Sequence, residues 1–416
     1  MKIITLDEKA FDKFASTHKY RNYYQTSAYG RTKKSNGSNI HYIGIIDDYN
    51  NILGVSLILY KEVFMNYKIA YAPRGFLIDY TNVNNLTEFT NRLKKLLGKQ
   101  GYMLIKIDPF IPINIRNNKG KIININNESN IILANLKAAG YEYLGANLFF
   151  ENQKPRFEAI VTLNHDIKEI YQSFDKKVRQ KIKKAIRNGI EIYKGNIEEI
   201  NLFYELIKKK YNKPINYYTD LYNNFTNNID LYFAKLNTET FVITSRMQYE
   251  KEIEINNELA IKIQTTTNNN SKKKLINEKM ESDKLVNTYK KNLVWATKLL
   301  KENPNGLIVG TALNLCYDNV CYLIIEGFNQ DFKSLNPNYL IKWKMINDYK
   351  NRNFKYIDLN AVSGEFTKIT KYTGLNEMKL GFNSLVTEYI GEFDLVISPL
   401  PYNLYKNLNK DKDKKK

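Results

Sequence analysis

The stretch Asn353-Phe354-Lys355-Tyr356-Ile357-Asp358-Leu359 ends an apolar run on a carboxylate, just after a helical pattern over residues 339–350. Earlier, Gly101-Tyr102-Met103-Leu104-Ile105-Lys106-Ile107-Asp108-Pro109 does the same after a helical pattern over residues 86–97. A short apolar run bounded by turn residues reads as a buried strand. The shared Lys, Ile and Asp are a short match, and their surroundings give it meaning. Before the first copy come strands at residues 40–47, 52–60 and 67–72, the first two joined by an Asp-Asp-Tyr-Asn-Asn turn. Before the second come strands at 231–235 and 241–244, then a hairpin of 306–317 with 320–327. Meander, helix and buried strand, twice in that order, predict two copies of one α+β unit.

Between the two copies lies a basic stretch, Ser173-Phe-Asp-Lys-Lys-Val-Arg-Gln-Lys-Ile-Lys-Lys-Ala-Ile-Arg-Asn-Gly189. Ser173 is placed to cap a helix and Asp175 to sit in its first turn, where negative charge suits the dipole. Phe174, Val178, Ile182, Ala185 and Ile186 give one apolar stripe. Lysines and arginines cover the rest, and Gly189 ends the helix as a residue at ease with left-handed dihedrals. A basic face can simply be solvated. The near absence of interleaved acid favours anion binding here.

Residues 7–15, 131–139 and 197–211 read as further helices, and 156–163 as a strand. The second unit is interrupted over residues 245–303. This segment is rich in Lys and Glu and has apolar residues at threes and fours: Tyr249, Ile253, Ala260 and Ile263, then Leu275, Leu285, Tyr289, Ala296 and Leu299. It breaks at Thr265-Thr-Thr-Asn-Asn-Asn270, which predicts an antiparallel helical hairpin with a thin seam. The charged tail, 406–416, lacks apolar periodicity and reads as disordered. The expected division is 1–155, then 156–244 with 304–390, an arm at 245–303, and a segment 391–416 that returns to the body and ends in the basic tail.

A length of 416 residues leaves ample room for a core, and the net charge of +20 calls for a polyanionic partner such as nucleic acid, an anionic membrane surface or a phosphorylated substrate. Cys316 and Cys321 read as small core residues of a reduced cytoplasmic protein. His18, His41 and His165 have no ligand spacing, so no metal is expected. No apolar run is long enough to span a bilayer, although the protein could lie against one.

These segments resemble the FemABX family, the aminoacyltransferases that build peptidoglycan side chains and interpeptide bridges. Gln25, Tyr29 and Lys33 fit its Gln-x3-aromatic-x3-Lys spacing, with Tyr29 where Trp is usual. Tyr71-Ala-Pro73-Arg74-Gly75 resembles Tyr-x-Pro-Arg-Gly, and Ile107-Asp108-Pro109 its Ile-Asp-Pro strand end. Lys177-Val-Arg179-Gln-Lys181-Ile-Lys-Lys-Ala185 is similar to its Lys-x-Arg-x2-Ile-Arg-Lys-Ala helix. Asp358-Leu-Asn360-x3-Gly364 and Gly374-Leu375-x2-Met378-Lys379-x2-Phe382 resemble its C-terminal signature, with Met378 for Phe.

The resemblance implies twin GNAT-like (acetyltransferase-like) domains facing a shared cleft, with the hairpin as the family's coiled-coil arm. It implies aminolysis of an aminoacyl-tRNA ester by an amine of a peptidoglycan stem peptide, with aminoacyl-tRNA as co-substrate and no further cofactor. The acceptor is nucleotide-linked (UDP-MurNAc-peptide) or lipid-linked, and the arm favours the lipid-linked form at the inner membrane face. Lys33 and Arg179, with Lys183 and Lys184 behind them, are the candidates for holding precursor phosphates. Lys379 is the candidate for stabilising the oxyanion or holding the tRNA end, against a salt bridge within the fold. Asp108 either serves the substrate amine or caps the Pro109 turn. Tyr29, Arg74 and Tyr322 are placed to line the cleft.

Two other readings compete. An acetyl-CoA acyltransferase would need an Arg/Gln-x2-Gly-x-Gly/Ala pyrophosphate loop, and neither Arg74-Gly75 nor Arg187-Asn188-Gly189 fits one. A nonenzymatic RNA-binding protein would use the basic helix and the arm alone.

Overall fold

The computed structural model describes residues 1–413. Its strands form two sheets. The first runs β1 (Lys2–Thr5), β2 (Asn39–Ile46), β3 (Ile52–Phe64), β4 (Tyr67–Ala72), β5 (Tyr102–Ile107), β16 (Phe393–Val396) and β8 (Glu142–Tyr143). The second runs β10 (Ile190–Gly195), β11 (Ile229–Leu236), β12 (Leu307–Tyr317), β13 (Val320–Phe328), β14 (Tyr356–Ala361), β9 (Phe157–Thr162), β15 (Leu385–Tyr389), β6 (Pro112–Arg116) and β7 (Ile122–Ile125). The sheets exchange strands across sequence positions 155 and 390. Strands β6 and β7 join the second sheet, and β16 joins the first.

The repeated unit is visible in the pairing. Strands β2–β3–β4 form an antiparallel meander, helix α3 (Val83–Lys99) crosses over, and β5 returns parallel to β4. Strands β11–β12–β13 repeat this, with α11 (Pro337–Asn351) as the crossover and β14 parallel to β13. A parallel return needs such a crossover. Asp108 follows β5 and Asp358 lies in β14, so the two carboxylates are equivalent in the two units.

One apolar core lies between the sheets. It joins Phe11, Leu57, Phe76 and Ile105 of the first half to Phe203, Tyr218, Leu313 and Tyr322 of the second. Helices α1 (Glu8–Ala15), α2 (Ser27–Ser35), α7 (Ile200–Ile207) and α8 (Ile215–Asn224) pack there, and α4 (Ser129–Ala138) lies against α3. A second core lies under α5 (Ile167–Ser173), α6 (Lys176–Arg187) and α11. Val178, Ile182 and Ala185 bury the α6 stripe. Burying Val178 and Ile182 contributes about 1.5–3 kcal/mol each, and the Ala185 methyl less.

Several local expectations are corrected. Ser173 does not cap α6. Its hydroxyl donates to the Ile170 carbonyl at the end of α5, and Asp175 takes the N-cap position. Ile186 falls outside the stripe at 55% exposure, because Val178, Ile182 and Ala185 already meet the core. Residues 197–211 split into a short 3-10 turn (Ile197–Glu199) and α7. Gly189 does adopt φ +80 after α6, where an added Cβ would stand 2.9 Å from the Asn237 carbonyl.

The arm consists of α9 (Thr238–Thr265) and α10 (Asn269–Glu302), inserted between β11 and β12. Residues 241–244 are therefore helical, not a strand. Asn237 caps α9 by accepting the Thr240 N–H, and Phe241 packs edge-on against Trp295 of α10. The seam is thin, as expected, and partly polar. Leu285 lies outside it, while Ser282 is buried and donates to Glu252 at 2.7 Å. Residues Cys316 and Cys321 face each other across the β12–β13 hairpin as a disulfide, not as separate reduced thiols. Helix α13 (Pro399–Asp413) follows β16, docks through Tyr402 beside Met103 and Leu104, and replaces the disorder expected from residue 406 onward. The last part of that tail, residues 414–416, lies outside the described residues. Among the described residues, no helix is long and apolar enough to cross a membrane.

Candidate active site

Asp108 and Asp358 differ in what surrounds them. Asp108 is buried. Its Oδ1 accepts the Arg74 backbone N–H at 2.6 Å, and its Oδ2 accepts the Tyr71 hydroxyl at 2.9 Å. These bonds hold Arg74 at φ +52, a left-handed conformation that a non-glycine residue adopts only with support. The Arg74 side chain then turns toward the second sheet. It donates to the Pro155 carbonyl at 2.8 Å and to Glu158 of β9 at 2.7 Å, and its guanidinium lies 4.4 Å from the Tyr389 ring centroid.

Asp358 sits at a β-bulge, where the β14–β9 register slips between Asp358 and Ala361. Bulges re-aim side chains at strand ends. Asn360, at φ +69, donates its N–H to Asp358 at 2.6 Å and its side-chain amide to the Leu323 carbonyl at 3.2 Å. The Asp358 carboxyl is pushed well above the usual range, first by burial and then by the Glu158 charge, with which it shares a hydrogen bond. Like charges this close cannot both stay ionised at low cost. Because Glu158 is paired to Arg74, the proton rests with Asp358.

Lys379 of α12 (Thr373–Leu380) is the neighbouring cation. Its Nζ donates to the Ala361 carbonyl at 2.7 Å, and only 6% of the residue is exposed. Burial lowers its pKa to about 8, opposed by Glu326. Glu326 itself is paired with the fully buried Lys342. Tyr322 closes the other side, its ring 4.9 Å from Tyr23 of the first half.

A second group of cations stands beside Asp108. Lys33 of α2 is half-buried, 5.8 Å from the Tyr217 ring, and burial with the nearby Lys213 lowers its pKa. The Lys154 ammonium lies 3.9 Å from the Tyr24 ring. Burial disfavours its charged form, and Asp108 opposes that. Tyr29 is buried edge-on to Tyr24. Gln25, the first residue of the same motif, ties the Leu57 N–H and the Pro73 carbonyl together.

A groove of about 1290 Å³ runs along the outer side of α12. Lys119, Lys176, Lys177, Lys181, Lys210, Lys333 and Lys368 line it together with Asp175, Glu326, Asp331, Glu365 and Glu377, and Val178, Tyr339 and Phe366 are among its apolar residues. Arg179 faces away from it. Its guanidinium donates to the carbonyls of Gln172 and Phe174, at 2.5 and 2.6 Å, and so closes the end of α5. Lys183 is exposed and lies outside the groove lining. The structure thus gathers Asp108, Arg74, Tyr29, Lys33, Tyr322 and Lys379 around the junction of the sheets, and leaves Arg179 and Lys183 on the far helix. Glu158, Lys154 and Asn22 were not singled out from sequence. Glu158 carried a signal, being the one acid in the otherwise apolar strand Phe157–Thr162. Among the described residues, no His, Cys, Asp and Glu group is arranged to hold a metal.

Twin meander-helix-strand units thus close over buried charged side chains at the junction of the two sheets. The FemAB family profile matches residues 6–410, and the chain belongs to the FemAB family. Curated relatives include aminoacyltransferase FemA of Staphylococcus epidermidis, 22% identical over 418 residues and covering 99% of each chain. FemA of Staphylococcus aureus is 24% identical over 436 residues and covers 100% of each. A crystal structure of FemX superposes with a TM-score of 0.71 at 21% identity, covering 97% of this chain and 99% of that one, which shows a shared fold. The family resemblance read from the motifs is borne out.

Proposed function

We propose that this enzyme transfers an amino acid from an aminoacyl-tRNA to a stem-peptide amine of a lipid-linked peptidoglycan precursor, building the side chain or bridge. Family membership supports aminoacyl transfer in bridge synthesis. The observation that carries the rest is Lys379, a buried ammonium beside the bulge of a strand end, where oxyanion charge can be stabilised without reorganisation. The acceptor nitrogen attacks the ester carbonyl, the bond to the ribose oxygen breaks, and a proton from the amine ends on that oxygen. Both substrates are polyanions, and the +20 charge favours their encounter.

In this reading Lys33 and Lys154 hold precursor phosphates, and Asp108 positions the loop that carries Arg74. Arg179 and Lys183 add to the positive field of α6. The lysine-lined groove and the arm receive the tRNA, so no other cofactor is needed. Each half of the chain supplies one wall of the cleft, and the protein works at the cytoplasmic membrane face. Mass spectrometry of muropeptides from cells with and without the gene tests this. Loss of one or more added amino acids from the stem peptide is expected, and unchanged muropeptides would refute it.

A further inference from the structure

The junction of the two sheets contains a small pocket that none of the roles above uses. Its walls are Asn22, Glu158 and Asp358 with the rings of Tyr23, Tyr24 and Tyr322. The cavity is about 10 Å³, room for one water-sized group. Its rim residues Tyr24, Phe110 and Asn360 are half-buried, so it opens on that side.

The polar groups in it are acceptors. The Asn22 amide nitrogen donates to the Tyr20 and Arg74 carbonyls at 2.9 and 3.2 Å, which fixes the amide's orientation. That leaves Asn22 Oδ1 without a partner, although the residue is only 1% exposed. A buried acceptor left unpaired loses its hydration without compensation unless something fills the site. The Glu158 and Asp358 carboxyls complete the set: Glu158 is paired to Arg74, burial favours the neutral form of Asp358, and both present oxygens that attract an N–H donor. Aromatic faces attract cations in the same way. Three converging acceptors and ring walls around a water-sized space suit one chemistry: a primary ammonium, which has three N–H donors and no acceptor.

We infer that this pocket binds a primary ammonium group of a substrate and so orients the amine-bearing end beside Lys379. This rests on the transfer reaction proposed above. Two sources share the chemistry: the acceptor amine of the stem peptide and the α-ammonium of the aminoacyl ester. The pocket also accounts for the bulge at the second unit's strand-end carboxylate, which lines it, while its counterpart Asp108 is taken up by Arg74 and Tyr71.

The test uses propylammonium chloride as probe on the full-length protein, with potassium chloride and 1-propanol as matched controls. Propylammonium is expected to raise Tm beyond both controls. In Asp358→Ala, checked for folding by circular dichroism, the half-saturating concentration should rise about tenfold, the loss of one of the three acceptors. In the transfer assay, competition with the precursor assigns the pocket to the acceptor amine, and competition with charged tRNA assigns it to the donor's ammonium. A thermal response in a protein that transfers no amino acid would leave the pocket standing and remove the transfer reading. A wild-type Tm that follows potassium chloride alone would overturn the inference and leave an ordinary buried water site. That wild-type result decides even if the variant fails to fold.

Discussion

The Arg74 guanidinium meets the Glu158 carboxylate at 2.7 Å, both almost completely buried, and this pair joins the loop after β4 to the first strand of the second unit. Removing one partner would leave a buried charge uncompensated. Arg74→Ala is therefore expected to cost about 3–5 kcal/mol in urea unfolding. A double variant, Arg74→Met with Glu158→Leu, should recover much of that stability without recovering transfer. Equal stability of Arg74→Ala and wild type would mean that the pair is solvated.

Lys379 gives a pH signature. Its folded pKa lies near 8 and its ordinary value is 10.5. Below 8 both states hold the proton, so the burial penalty is present in full. Between about 8 and 10.5 the unfolded chain binds more protons, so this residue's contribution to stability rises with pH. Activity should do the opposite. If the charged form stabilises the oxyanion, kcat falls as pH passes through about 8. Lys379→Met should lower kcat by roughly 10²–10³ with a small change in KM, as for loss of an oxyanion donor. A pH–rate profile flat across pH 7–9 would contradict this role.

The basic helix separates two effects. Arg179→Ala removes two bonds to carbonyls at the end of α5. It should lower Tm, and any change in KM should be the same for both substrates. Lys177→Ala and Lys181→Ala alter the groove. Each should weaken charged-tRNA binding and flatten its salt dependence by about one charge. A rise in the precursor KM alone for Arg179→Ala would instead return that residue to phosphate binding.

The arm can be shortened. Replacing residues 254–280 by a short Gly/Ser linker keeps the base of the hairpin, where Phe241 meets Trp295. The body's Tm should change little. KM for charged tRNA should rise, by about tenfold or more if the arm supplies 1.4 kcal/mol or more of binding, while KM for the precursor stays the same. An unchanged tRNA KM would assign the arm to another partner.

Much of this architecture was legible because local signals agreed with it. The two strand ends at Asp108 and Asp358, the crossover helices and the arm each followed from periodicity and turn residues. Residues 241–244 misled because Phe-Val-Ile-Thr is rich in strand formers. The Asn237 cap and the Trp295 contact make them the first turns of a long helix. The exchange of β6, β7 and β16 between sheets left no local trace, since such pairing is set by partners far away in sequence. Motifs marked Lys33, Arg74 and Lys379, and the fold brings all three toward the junction of the sheets. Arg179 matched a motif, yet its side chain bonds within its own helix pair. Asn22, Lys154 and Glu158 act through Arg74, Asp108 and Arg74 respectively, each far away in sequence, so only the folded chain brings their chemistry together.

The most direct test incubates the purified protein with a pool of tRNAs charged with labelled amino acids and with lipid-linked precursor, then analyses the lipid fraction by mass spectrometry. The stem peptide is expected to gain the mass of one or more amino-acid residues, ribonuclease treatment of the tRNA to abolish the gain, and acetyl-CoA to fail as a replacement donor. A precursor that binds yet stays unmodified with every charged tRNA, or that gains an acetyl group from acetyl-CoA, would contradict tRNA-dependent transfer.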